Sequence, residues 1–190
     1  MNLWDVFLSV LKGTPEKSIG VAVPLRTGYT RVRDVITLID AICDVYDRND
    51  YKPNPDGSTH CNQAVCSVAD AMGCHDFPGK NADEIVAFLS MSQEWSLVPM
   101  EKAQDMANQG SLVVAGLDSK SLDSPHGHVV VIRPGRPCQS GKWGATPRCV
   151  NIGKNDFIAR AQTGPLSMMP VGINDAFIPL PKIWVWRASL

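Results

Sequence analysis

The chain has almost no net charge, no long apolar run and no paired-cysteine metal motif, and each absence removes a class of function. Its 18 basic and 19 acidic residues sum to −1 over 190 residues and are mixed along the chain. Non-specific nucleic-acid binding needs a dense basic surface to displace counterions, so nucleic acid is not an expected partner. No apolar stretch approaches the roughly eighteen residues of a membrane span, and membrane insertion is not expected either. Residues 1–12 carry no basic n-region and have Asp5 early. They read as a short amphipathic helix, with Leu3, Trp4, Phe7, Leu8 and Leu11 on one stripe, not as a signal peptide. There is no CxxC pair, internal repeat or low-complexity tract. His60, Cys61, Cys66, Cys74 and His75 include enough ligand types for zinc, but these cysteines lack the three-or-four spacing at which helical ligands converge. No metal and no cofactor is therefore assigned, and a zinc-stabilised interaction domain is the rival that this spacing disfavours.

What is present is a chain of 44% apolar residues, long enough to bury a core as one domain over 1–190, with that core between about residues 30 and 160. From Thr30, the residues Val32, Val35, Ile36, Leu38, Ile39, Ile42, Cys43 and Tyr46 recur at helical spacing to about Asp47. Residues 19–28 read as a connector and 49–58 as a loop. Ser58 or Thr59 is expected to cap a second helix with Ala64, Val65, Val68, Ala69 and Met72 on its apolar face and Gly73 at its end. Asn81-Ala82-Asp83-Glu84 has the form of a capping box opening a third helix through Ile85, Phe88 and Leu89. A fourth helix is expected over residues 99–108, stopping at Gly110. The pattern then changes. Residues 112–116, 129–132, 148–152 and 183–186 are β-branched or aromatic runs bounded by Gly and Pro. Helices first and strands after predict an α+β fold, with the N-terminal helices packed on a small antiparallel sheet. Residues 161–181 read as loop.

Six cysteines are an even number, but a chain of this length does not need a disulfide framework. Cys43 and Cys66 fall within apolar helical patterns and are expected to be buried thiols. Cys138 and Cys149 flank a Gly/Pro-rich stretch with the makings of a hairpin, and are the best candidates for a bridge in an oxidising compartment.

Cys61 differs from the others. It follows a Pro/Gly loop, has polar Asn62 and Gln63 beside it and precedes an apolar helix body. A thiol at a helix N-terminus sits in the positive end of the helix dipole, which favours the thiolate. Downstream, His126 and His128 lead into the apolar run Val129-Val130-Val131-Ile132. An imidazole brought near that thiol would hold its proton and return it to a leaving group. Gly127 marks the start of the strand, leaving His126 in a loop and His128 as the candidate base. Its competing reading is an ordinary half-buried strand histidine. His60 is more plausible as a substrate-side or surface group, and His75 as a solvated turn residue. Trp143, in a polar Gly-rich loop, is the tryptophan best placed to line a substrate groove.

The stretch from Cys61 to Gly73 and the later Gly127-His128-Val129 resemble the NlpC-type and CHAP peptidases, a papain-like superfamily that cleaves amide bonds in peptidoglycan. With Gly110-Ser111-Leu112-Val113-Val114-Ala115-Gly116 ahead of the histidine, the pattern is most similar to the amidase effectors of type VI secretion, with phage endolysins close behind. The matching residues span about 58–153. Two positions depart: His60 stands where many relatives have aspartate or asparagine, and Ala64 and Val65 stand where an aromatic is common. The resemblance implies a papain-like fold with Cys61 as nucleophile, His128 as base and a polar third member on the following strand. Asn151 fits that place, with a turn-stabilising strand-end asparagine as its alternative and Asp156 as fallback. The Cys61 backbone N–H is the implied first donor of an oxyanion hole. The implied function is hydrolysis of the peptidoglycan stem peptide, at the D-glutamyl–diaminopimelate bond or between muramic acid and L-alanine. A catalytically silent binding module on the same fold is the other rival. Without a signal peptide, such a protein is expected to reach the periplasm of a target bacterium by injection or through a phage holin. The first route implies a cognate immunity protein.

Overall fold

The computed structural model describes residues 28–47, 51, 54–55, 58–152 and 172–190. The expected N-terminal helix, most of the connector, Gly153 and Asp156 lie outside these residues. Within them the order is helix α1 (Gly28–Asp47), α2 (Cys61–Ala71), α3 (Ala82–Met91), strand β1 (Trp95–Leu97) and α4 (Met100–Asn108). There follow β2 (Val113–Leu117), the short α5 (Ser119–Leu122), β3 (His128–Ile132), the hairpin strands β4 (Cys138–Ser140) and β5 (Gly144–Thr146), and β6 (Cys149–Val150). The chain closes with the one-turn α6 (Ile173–Ala176), β7 (Lys182–Trp186) and a 3₁₀ turn at Arg187–Ser189.

Five strands form one antiparallel sheet in the order β1-β7-β2-β3-β6, with β4 and β5 paired separately. The fold is α+β with helices packed on the sheet. Both faces of the sheet are covered, which is why its central strands read as unbroken apolar runs instead of alternating ones. Along β3, Val129 and Val131 join α1, α2 and α3 in one core with Leu38, Ile42, Val65, Val68, Ile85 and Trp184. Val130 and Ile132 point the other way, into a second core with Ala103, Ala107, Ile173 and Phe177. The period-two alternation of β3 therefore locks its register, because a one-residue slip would exchange the two faces.

Local chemistry sets the element ends. Asn81 accepts the Glu84 amide at 3.0 Å while Glu84 accepts the Asn81 amide at 2.8 Å, completing the capping box. At the end of α2, Gly73 adopts φ +82°, so the amides of Gly73 and Cys74 reach the carbonyls of Asp70 and Ala69 at 2.9 Å each. That closes the helix in a Schellman turn, which only a residue at ease in the left-handed region makes without strain.

Several expectations are corrected. The cap of α2 is His60, with no side-chain cap bond, rather than Ser58 or Thr59. Ser58 is engaged on the preceding loop, where its hydroxyl and carbonyl both accept from Asn54 at 2.9 Å. Cys43 and Cys66 are half-buried, because each lies beside its helix's core stripe instead of on it. Cys138 and Cys149 are thiols on different sheets, Cys138 opposite Thr146 and Cys149 opposite Ile132. Strand β1 and α6 had no readable pattern: three and four residues are too few to establish a period.

Candidate active site

Cys61 is the first residue of α2 and is 6% exposed. Its amide is one of the donors at a helix start that no helical carbonyl satisfies, and its side chain lies in the positive end of an eleven-residue dipole. His128 is the first residue of β3, paired with Leu117 across the ladder. Asn151 follows β6, the strand beside β3. Helix start, strand start and strand end thus bring three residues distant in sequence to one point.

The contacts form a directed line. His128 Nε2 lies 2.7 Å from Asn151 Oδ1. An amide oxygen only accepts, so Nε2 carries the proton, and the other ring nitrogen, Nδ1, is left as an acceptor. The imidazole also lies close enough to the Cys61 thiol to act on its ionisation. Burial on its own would push that thiol up. The His128 hydrogen bond and charge, with the amides of Val129 and Asn62 at the sulfur, outweigh burial and hold it below its ordinary value of 9.0. Other cysteines lack this compensation: burial pushes Cys74 up to about 12, and burial also raises Cys66 and Cys138. A lowered thiol beside an oriented imidazole is the arrangement that makes cysteine a nucleophile near neutral pH.

The remaining candidates fall outside this line. His126 is exposed in the loop before β3. His75 is exposed, with Nδ1 2.9 Å from Asp70 Oδ1. His60 is half-buried and directly precedes Cys61. Trp143 packs partly against the second core, with Lys142 Nζ 5.4 Å from its ring centroid, so it belongs to the hairpin. Asn62 braces the helix start by donating to the Lys80 carbonyl at 2.9 Å. Among the described residues no group of three or more His, Cys, Asp or Glu side chains is gathered as a metal site. None of their helices is long and apolar enough to cross a membrane.

Two contacts had no signal in the sequence. Phe177, buried after α6, lies against His128 with ring centroids 5.2 Å apart and planes tilted by 53°. The Val129 amide reaches the Cys61 sulfur because β3 starts one residue earlier. No protein-family model matches the sequence, and no curated protein matches it significantly.

Proposed function

We propose that the protein is a cysteine-dependent amide hydrolase acting on the peptidoglycan stem peptide. The observation that carries this reading is the convergence of Cys61 at a helix start, His128 at a strand start and Asn151 2.7 Å from the His128 ring, with the thiol pKa held below its ordinary value although the group is buried. The Cys61 thiolate attacks the amide carbonyl, forming the C–S bond, and the His128 imidazolium delivers its proton to the departing amine as the C–N bond breaks. Water then attacks the thioester with His128 as base, releasing the carboxylic acid and restoring the thiol. The Cys61 amide faces the developing oxyanion, and Asn151 holds the ring in its tautomer. This chemistry requires no metal or cofactor.

The substrate assignment rests on the motif from Cys61 to Gly73 and on Gly127-His128-Val129, which resemble papain-like peptidoglycan amidases; they favour the D-glutamyl–diaminopimelate bond. A peptidoglycan substrate puts the site of action in the periplasm of a target bacterium, as an antibacterial effector with a cognate immunity protein that covers Cys61. The test is toxicity. Carried by an added periplasmic signal peptide, the wild type lyses a Gram-negative host and Cys61→Ala does not. Equal lysis by the form kept in the cytoplasm would overturn the cell-wall assignment.

A further inference from the structure

The connection from β2 to β3 leaves the sheet after Leu117 and returns at His128, so both of its ends lie beside the catalytic imidazole. Inside it, Asp118 caps α5 by accepting the Ser121 amide at 2.7 Å, and Asp123 turns the chain with φ +49°. Its base is closed from outside. Asp83, in the first turn of α3, accepts the Ser119 amide on Oδ1 at 2.6 Å and the Gly127 amide on Oδ2 at 3.4 Å. One carboxylate thus holds the first residue of α5, two after Leu117, and the residue that ends the excursion, immediately before His128. Gly127 is built for this approach. A Cβ there would lie 2.9 Å from Asp83 Oδ1, closer than side chains tolerate, and 3.0 Å from the Leu117 carbonyl oxygen, tighter than most such contacts.

The ladder bond to Leu117 fixes His128 on one side, but the backbone entering it has no strand partner at Gly127 other than through Asp83. Ring orientation toward Cys61 and Asn151 depends on the torsions at this junction. We propose that Asp83 is a positioning residue: it clamps the β2–β3 connection at its neck and so sets the direction of the His128 imidazole. This rests on the hydrolase reading above. Asp83 acts through the backbone at Ser119 and Gly127, not as a reacting group.

Two variants separate positioning from mere stability. Asp83→Asn keeps the shape but offers one acceptor oxygen in place of two. Ser119→Pro removes the donor to Oδ1 and puts the ring Cδ in that hydrogen's place, pushing the carboxylate off this end of the connection. It does so at the first position of α5, where proline suits the helix and the extended Asp118 (φ −73°, ψ 164°) suits a following proline. For each, kcat and KM on muropeptides, the iodoacetamide labelling rate of Cys61 and Tm are measured. Misplacing a reacting group by a fraction of an ångström to one ångström costs about 10–100-fold. Asp83→Asn is therefore expected to lower kcat and Cys61 labelling together by that range, with KM little changed, and Ser119→Pro to lower both as well. If both variants keep wild-type kcat and labelling per folded molecule, whatever their Tm, the inference fails; if Asp83→Asn does not fold, Ser119→Pro decides alone. A wild type whose Cys61 labels no faster than Cys43 or Cys66 instead overturns the hydrolase reading, and this inference with it.

Discussion

Replacing His128 by alanine should slow the alkylation of Cys61 at neutral pH and move its dependence on pH upward. In the native site, burial is the largest influence on the thiol and raises its pKa; the His128 hydrogen bond and charge are the next two and lower it. The variant loses both and leaves burial opposed only by the amides of Val129 and Asn62, so the pKa climbs. A thiol at its ordinary value of 9.0 is ionised to about one part in a hundred at pH 7. Because the thiolate is the reacting form, the labelling rate at pH 7 is expected to fall with the thiolate fraction. The sign in the wild type follows: labelling titrates in at a pH below 9.0, and the variant's profile shifts to higher pH. Iodoacetamide pulses across a pH series, read by peptide mass spectrometry at each cysteine, measure this directly. Cys74, pushed up to about 12, serves as the internal control and stays unlabelled at pH 7 in both proteins. If Cys61 in His128→Ala labels as fast as in the wild type, with an unshifted profile, the imidazole is not what activates the thiol.

Asn151→Ala removes the acceptor 2.7 Å from His128 Nε2 and frees the ring to turn; kcat on a stem-peptide substrate should drop about 10–100-fold with little change in Tm, and an unchanged kcat would return Asn151 to a turn-stabilising role. Gly116→Ala would place a Cβ 2.9 Å from side-chain carbons of both Val129 and Val86, wedging α3 off the sheet. The overpacking should cost about 1–3 kcal/mol in thermal or urea unfolding, and full stability would contradict the close approach. Asn81→Ala breaks the capping box of α3 and should cost about 1 kcal/mol in the same assay.

The parts of the fold legible in the sequence are those with a period long enough to read. Helix α1 announces itself by Val35, Leu38 and Ile42, all buried, the last two in one core with α2 and α3. Asn81 and Glu84 name the start of α3 through chemistry that needs no tertiary context. Cys61 was legible for the same reason, as a thiol at the boundary between loop and helix. The rest depended on contacts that no local pattern encodes. Ser58 carries a good capping side chain, yet Asn54 claims it. Phe177 emerges from a stretch that reads as loop, and only the return of the chain into β7 lays it on His128. Asp83 was visible as part of a capping box, where first-turn acids are ordinary; its grip on Ser119 and Gly127 exists only after α3 docks beside β2 and β3.

The central claim is that Cys61 attacks an amide of the peptidoglycan stem. Its most direct test is mass spectrometry of purified muropeptides incubated with the wild type and with Cys61→Ser. The wild type is expected to leave new carboxyl and amine ends at the D-glutamyl–diaminopimelate bond, and the variant to leave the stem peptides intact. Release of disaccharide lacking any peptide would move the cut to the muramic acid–L-alanine bond. Intact muropeptides in both reactions, or equal cleavage by Cys61→Ser, would contradict the claim.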